Sequence, residues 1–258
     1  MPEKIIDARG RKFGGETPLI CTPLVGKTHD RVLAEAASVV TKQPDVIEWR
    51  VDYFDAIGDT ASVLDVARGL RAAVGDLPII FTRRSTSEGG EPIGIGEEEV
   101  IRLYDAVAAS RLVDFIDYEM GNDPEHVRRV RERTRAHGAR LILSYHNFGY
   151  TPGRDFLVQR FLEAERLGAD VAKVAVMPRD RMDVLTLLAA TAEADGKGRI
   201  PLISMAMGPL GSVTRMVGGL FGSSLSFAVG EAASAPGQIP IADLAAVYDI
   251  IRRARGGR

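Results

Sequence analysis

Lys173 stands in the middle of an apolar, strand-like run, ADVAKVAVMP, residues 169–178. A lysine is rarely fully buried without a partner. Taking its ammonium out of water is costly, so a desolvated lysine tends to give up its proton. The neutral amine is a nucleophile that forms Schiff bases with carbonyl compounds. The plainer reading of this stretch alone is a lysine whose stem covers apolar surface while its head snorkels out at a strand end. The other reactive residues must decide between the two.

Side chains alternate faces along a strand, so in DVIEWRVD the residues Glu48, Arg50 and Asp52 share one face and Ile47, Trp49 and Val51 the other. If the apolar face packs under helices, the charged face points into a barrel mouth, where unpaired charge is expensive. An internal ion-pair layer explains Asp52 well, and Glu48 and Arg50 less well. Arg84 shares a face with Thr82, and the following loop STSEGGE presents Glu88. FIDYEM adds Asp117 and Glu119; SYHNF puts Ser144 and His146 on one face. His29, His126 and His137 fall in polar, helix-like or helix-end contexts that suit surface residues. Only His146 ends a strand beside the one that holds Lys173, and imidazole is the natural proton shuttle near neutral pH. In SMAMGPLGSVTR, Met205 and Met207 face one way and can wall an apolar slot, although ordinary core would look the same. Arg215 follows as a fixed cation suited to a carboxylate. The stretch EAASAPGQIP is rich in small residues and has no periodicity, the composition of a lid.

These residues need a scaffold that brings strand ends together. Short apolar runs (PLICTPLV, DVIEWRVD, LPIIFTRR, LVDFIDYEM, ARLILSYHN, ADVAKVAVM, IPLISMAM, SLSFAVG) alternate with amphipathic segments such as HDRVLAEAASVVTKQ, EEEVIRLYDAVAASR and RDFLVQRFLEAERLGA. Strand alternating with helix implies a parallel sheet. Eight such units and a terminal helix, IADLAAVYDIIRRAR, predict an α/β fold of the (β/α)8 TIM-barrel type, with a doubly wound open sheet as the alternative. The segment KIIDARGRKF predicts a short N-terminal hairpin outside the eight units, and Gly75, Gly138 and Gly168 predict left-handed helix stops. Residues 1–258 read as a single catalytic domain. Active sites of such barrels lie at the C-terminal ends of the strands, and the polar residues here fall in the later halves of the runs.

Composition excludes several classes. Apolar residues make up 45% of the 258, charged residues 26%, and the formal charge is −2, which draws the chain to neither nucleic acid nor anionic membrane. The basic run RRVRERTRAHGAR is broken by acidic residues at helical spacing and reads as a solvated helix face. Cys21 is the only cysteine, so no intramolecular disulfide forms and metal-ligand spacing is absent. The opening MPEKIIDARGRKFGG lacks a signal-peptide core, and no apolar run is long enough to span a bilayer. A cytoplasmic protein is the expectation.

EWRVD, FTRRSTSEGGE, SYHNF, ADVAKVAVMP, SMAMGPLGSVTR, FGSSLSFA and SAPGQIP, in this order and spacing over nearly the whole chain, resemble the motifs of type I 3-dehydroquinate dehydratases. The resemblance implies a lyase of the shikimate pathway that needs no cofactor, converts 3-dehydroquinate to 3-dehydroshikimate and water, and works as a homodimer. It gives Lys173 as the Schiff-base lysine, His146 as general acid and base, and Glu88 as the residue that orients the histidine. Glu48, Arg50 and Arg84 match positions that bind the ring hydroxyls and nearby polar groups. Arg215 matches the carboxylate position, Ser234 and Gln238 match further substrate-binding positions, and Met205 and Met207 match the pocket wall. Cys21, Asn147 and Ala206 depart from the family pattern and bear only on fine tuning.

Two rivals share part of this reading. A class I aldolase also uses a Schiff-base lysine in a barrel, and GGLFGSS after the seventh strand is a weak candidate for the phosphate cradle it would need. A sensor domain binding the same ligand is the non-enzymatic alternative; the lysine, the histidine and the lack of an appended domain speak against it.

Overall fold

The structure, a computed structural model, describes residues 4–256. The chain opens with an antiparallel hairpin of β1 (Ile6–Ala8) and β2 (Arg11–Phe13). Its two turn residues, Arg9 and Gly10, both have positive φ (50° and 79°), the geometry whose twist matches paired strands. Eight strand–helix units follow: β3 (Leu19–Leu24), α1 (His29–Val40), β4 (Val46–Arg50), α2 (Thr60–Val74), β5 (Ile79–Thr82), α3 (Glu97–Ser110), β6 (Phe115–Glu119), α4 (Pro124–His137), β7 (Arg140–Asn147), α5 (Arg154–Arg166), β8 (Val171–Val176), α6 (Arg181–Lys197), β9 (Leu202–Ala206), α7 (Gly208–Val217), β10 (Leu225–Val229) and α8 (Ile241–Ala254), with the two-residue strand β11 (Ile239–Pro240) before the last helix. Thr28, Asp59, Asp123 and Asp180 start their helices by accepting backbone N–H groups of the first turn.

Strands β3 to β9 pair in parallel in sequence order, and β10 pairs with β3. Leu202 at the start of β9 bridges Ser223 just ahead of β10, and the Ser224 N–H donates to the Leu202 carbonyl at 2.7 Å. The ring closes there, giving the expected (β/α)8 barrel with its hairpin.

Alternation along each strand sorts the core into two layers. Ile47, Trp49, Phe81, Ile116, Leu143 and Val174 face outward and pack with Val32, Leu70, Tyr104, Phe161 and Leu187 of the helices. Val46, Ile80, Phe115, Ile142, Val171, Ile203 and Leu225 face inward and form an apolar floor. Phe13 of the hairpin plugs that floor from below; it has no exposed surface, and its ring centroid lies 4.5 Å from that of Phe115. One pleat above the floor, the same strands present Glu48, Thr82, Asp117, Ser144, Lys173, Met205 and Phe227. A two-residue step thus turns a dry floor into a chemical layer.

Some local expectations change. β4 ends at Arg50, so Asp52 lies on a single 3-10 turn, Val51–Tyr53, rather than on the strand. Part of EAASAPGQIP is ordered as β11, which pairs with β10 through Ala228 and Ile239. Gly138 and Gly168 have φ of 81° and 89°, whereas Gly75, at φ 58° and ψ −121°, is a different stop from the left-handed helical one. The basic run is α4, with Arg128 paired to Glu125 and Glu132, and Arg129 to Glu98. Among the described residues no helix is long and apolar enough to cross a membrane.

Candidate active site

At the C-terminal ends of the strands, Glu48, Arg50, Arg84, Glu88, His146, Lys173, Met205, Met207, Arg215, Ser234 and Gln238 line one pocket. The residues that the family resemblance assigns to the site therefore come together, while Asp52, Asp117, Glu119 and Ser144 lie behind them.

Lys173 does not snorkel. It is 4% exposed, with Nζ 2.8 Å from Asp117 Oδ2, 3.4 Å from Glu48 Oε1 and 4.6 Å from the centre of the Phe227 ring. Nor is it an unpartnered amine, because two carboxylates offset the loss of water around an ammonium. Glu48 also accepts from the Thr82 hydroxyl at 2.9 Å.

Arg50 makes a two-pronged contact with Asp52, at 2.9 and 2.7 Å. Burial pulls its guanidinium down, but the Asp52 hydrogen bond and charge outweigh that and hold it above its ordinary range. Asp52 also accepts the Arg84 and Glu91 backbone N–H groups, so it anchors the loop after β5. Arg84 donates to Asp117 (2.6 Å), Ser144 (2.8 Å) and Glu119 (3.2 Å). Its burial is likewise outweighed, first by Asp117 and then by Glu119 and Glu88, and it stays a cation.

Glu88 ends a 3-10 turn, Thr86–Glu88, and its Oε2 lies 2.7 Å from His146 Nδ1. Burial pushes the Glu88 carboxyl up to about 8. Burial, then the positive charges of Arg84 and Lys173, hold the His146 imidazole well below its ordinary range, so it is neutral at pH 7. His146 pairs in register with Ala175, two residues beyond Lys173 on the same face of β8.

Arg215, on α7, is 1% exposed and has no carboxylate partner among the described residues. Its Nη1 reaches the Phe227 carbonyl (3.3 Å) and Met205 sulfur (3.7 Å), its Nη2 the Pro236 carbonyl (3.2 Å), and its buried Nε has no hydrogen-bond partner. Burial lowers the guanidinium to about 10. A buried cation without a counter-ion is a costly arrangement that an anionic ligand relieves.

The segment 234–238 folds over the pocket. Gln238 clasps Ser234, accepting its N–H at 3.1 Å and donating to its hydroxyl at 3.3 Å, and the Pro236 carbonyl accepts from the Gly208 N–H at 3.1 Å. Gly237 has φ +77°, and a Cβ there would sit 2.2 Å from the Gly208 carbonyl oxygen. Only glycine allows this approach.

The sequence pattern gives Asp117 no role and does not single out Phe227, Phe148 or Ala235, which also belong to this site. The signal for Phe227 was available: it stands two residues after Leu225 on the inward face of the eighth barrel strand.

Residues 20–255 match the family profile described as Type I 3-dehydroquinase. The chain belongs to the type I 3-dehydroquinase family. It is 55% identical over 254 residues to the 3-dehydroquinate dehydratase of Albidiferax ferrireducens, covering 98% of this chain and 96% of the relative. It superposes on the crystal structure of 3-dehydroquinate dehydratase from Geobacillus kaustophilus with a TM-score of 0.95, at 49% identity over 97% of both chains. The type I enzyme of Clostridium difficile, solved with covalently modified comenic acid, gives 0.94 at 34% identity, covering 98% of this chain and 99% of that one.

Cys21, Asn147 and Ala206, which depart from the expected motifs, each serve the scaffold. The Cys21 thiol is buried in β3, and burial, then Glu48, pushes it well above its ordinary range, which makes it an inert core residue. Asn147 accepts the Gly149 and Tyr150 N–H groups at 2.9 and 3.0 Å and so pins the loop after β7. Ala206 is a buried outward residue whose N–H donates to Thr214. GGLFGSS forms a 3-10 turn, Gly218–Phe221, ahead of β10 and against Pro18, at the opposite end of the barrel from Lys173. It cannot cradle a phosphate of a substrate bound at the lysine, which removes the feature that favoured an aldolase.

Proposed function

We propose that the chain dehydrates 3-dehydroquinate to 3-dehydroshikimate and water through a Schiff base on Lys173. The observation that carries this reading is that one pocket joins a buried lysine, a histidine held by a carboxyl, and a buried guanidinium with no carboxylate partner among the described residues. A substrate with a ketone, a carboxylate and ring hydroxyls meets all three.

In this scheme protonated Lys173 first sheds a proton so that its amine can attack the ketone; the ketone oxygen then leaves as water with that proton and a second from nitrogen, and an iminium remains. The iminium is an electron sink that acidifies the adjacent C–H. Neutral His146 takes that proton as general base, giving an enamine. The enamine electrons expel the ring hydroxyl, to which His146 returns the proton so that it leaves as water. Hydrolysis of the product iminium restores the ketone and the free lysine. No metal or organic cofactor is needed.

Glu88 orients the imidazole. Arg215 takes the substrate carboxylate, and Glu48, Arg50 and Arg84 the hydroxyls and neighbouring polar groups. Met205 and Met207 wall the ring, while Ser234 and Gln238 bind it from the covering loop, whose closure excludes water from the iminium. The same reading takes residues 1–258 as one catalytic domain that works as a cytoplasmic homodimer; the family resemblance supports it.

Mixing the protein with 3-dehydroquinate and following the conjugated-enone absorbance tests the proposal. A steady rise, absent in Lys173→Ala, is expected. No rise with the wild-type protein would refute it.

A further inference from the structure

The closest charged neighbour of the Lys173 nitrogen has no part in the scheme above. Asp117 is fully buried and holds Nζ at 2.8 Å through Oδ2. Its other oxygen, Oδ1, is fixed from two sides, by Arg84 Nη2 at 2.6 Å and the Ser144 hydroxyl at 2.7 Å. Ser144 is itself opposite Lys173 in the β7–β8 register, so the three strands β6, β7 and β8 lock this carboxylate against the nitrogen. Glu48, the second carboxylate near Nζ, stands farther off at 3.4 Å and is shared with Thr82.

We propose that Asp117 is the fixed counter-ion of the Lys173 nitrogen, facing positive charge on that atom before condensation and again in the iminium after it. The inference rests on the Schiff-base reading. Condensation converts R–NH3+ and a ketone into R–NH+=C and water. The ketone oxygen leaves with two protons that began on nitrogen, a C–N double bond replaces the C–O double bond, and the nitrogen ends with the charge it began with. A carboxylate that cannot move therefore faces a cation on the same atom at both ends of the step, and the site needs no reorganisation between them. Asp117 does not serve as the base. Burial alone would push its carboxyl up, but Arg84, then Lys173 and His146, outweigh burial and hold it well below the ordinary carboxylate range. When His146 removes the substrate proton, the positive charge passes from the nitrogen to an imidazole that Asp117 also attracts. One buried anion thus serves both positions of the travelling charge.

The charged and titratable groups around the Lys173 nitrogen are Asp117 on β6, Glu48 on β4, His146 on β7, the Cys21 thiol on β3 and the Arg84 guanidinium after β5. Asp117→Asn removes one of these charges and keeps the shape. The wild type and this variant are compared by the rate of borohydride trapping with 3-dehydroquinate as a function of pH, by turnover, and by thermal unfolding. Loss of an adjacent opposite charge should move the trapping midpoint to lower pH by about one to three pH units, and turnover should fall roughly 10-fold or more. A folded variant with the wild-type midpoint and turnover would overturn the inference, since a merely structural role leaves the midpoint in place. A second measurement needs no variant: in a crystal structure of the reduced wild-type adduct, the adduct nitrogen should stay within hydrogen-bond distance of an Asp117 oxygen. An adduct nitrogen turned away from Asp117 would overturn the inference even if Asp117→Asn fails to fold. Absence of any wild-type adduct at Lys173 would instead overturn the Schiff-base reading, and this inference with it.

Discussion

The Nδ1 atom of His146 and the Oε2 atom of Glu88 are 2.7 Å apart, although 58 residues separate them in the chain. The contact fixes the ring with its other nitrogen free, and the imidazole is neutral because burial and the cations Arg84 and Lys173 disfavour its charged form. A base works only when unprotonated, and a lowered value keeps it so to lower pH. The acid limb of kcat, read at saturating substrate with Lys173 already joined to it, is therefore expected below about 6.5, the ordinary histidine value. His146→Ala should slow turnover by at least ~10²-fold while still forming the imine, and Glu88→Gln should cost less. An acid limb above the ordinary histidine value would contradict the assignment.

Arg215 carries a functional cost in stability. Its guanidinium is buried with an orphan Nε and no carboxylate among the described residues, so Arg215→Met should leave the melting temperature unchanged or higher, as replacement of buried charge often does. Losing a charge-assisted hydrogen bond of about 1.5–3 kcal/mol should raise KM roughly 10- to 100-fold. A normal KM in this variant would remove Arg215 from substrate binding.

The covering segment is clasped within itself by Ser234 and Gln238 and meets the barrel through the Pro236 carbonyl, on Gly208 and Arg215. Gln238→Ala, which loses both bonds to Ser234, should weaken substrate binding without changing the melting temperature. Gly237→Ala should do the same by forcing the loop away from the Gly208 carbonyl. Substrate should slow hydrogen exchange at amides 232–238. Unchanged exchange together with normal binding by Gln238→Ala would refute a lid.

Phe13 tests the floor rather than the chemistry. Phe13→Ala opens a cavity against Phe115 and should cost about 3–5 kcal/mol of stability, read from denaturant unfolding, while turnover at low temperature is retained. A loss under about 1 kcal/mol would mean that the hairpin does not seal the barrel.

Much of this arrangement is legible in the sequence because two periods are strong. Alternation along DVIEWRVD and ADVAKVAVM gives the inward faces, and regular strand–helix repetition gives closure, so Glu48, Lys173 and His146 are found from pattern. Alternation does not give the stagger between strands. Lys173 meets Glu48 across 125 residues and Asp117 across 56, and only the register of a closed ring decides which inward carboxylate touches the amine. That is why the lysine reads as unpartnered from its own strand, and why Asp117 goes unassigned. The 3-10 turn that carries Asp52, and β11, are missed for a different reason. A 3-10 turn or a two-residue strand is too short to show a period.

The central claim, a covalent bond between substrate and Lys173, is tested most directly by borohydride reduction in the presence of 3-dehydroquinate, followed by peptide mass mapping. Lys173 is the only lysine between Lys42 and Lys197, so the modified peptide is unambiguous. The account predicts a single reduced adduct on Lys173, formed only with substrate and absent from Lys173→Ala. An adduct on another lysine, or full turnover with none, would contradict it.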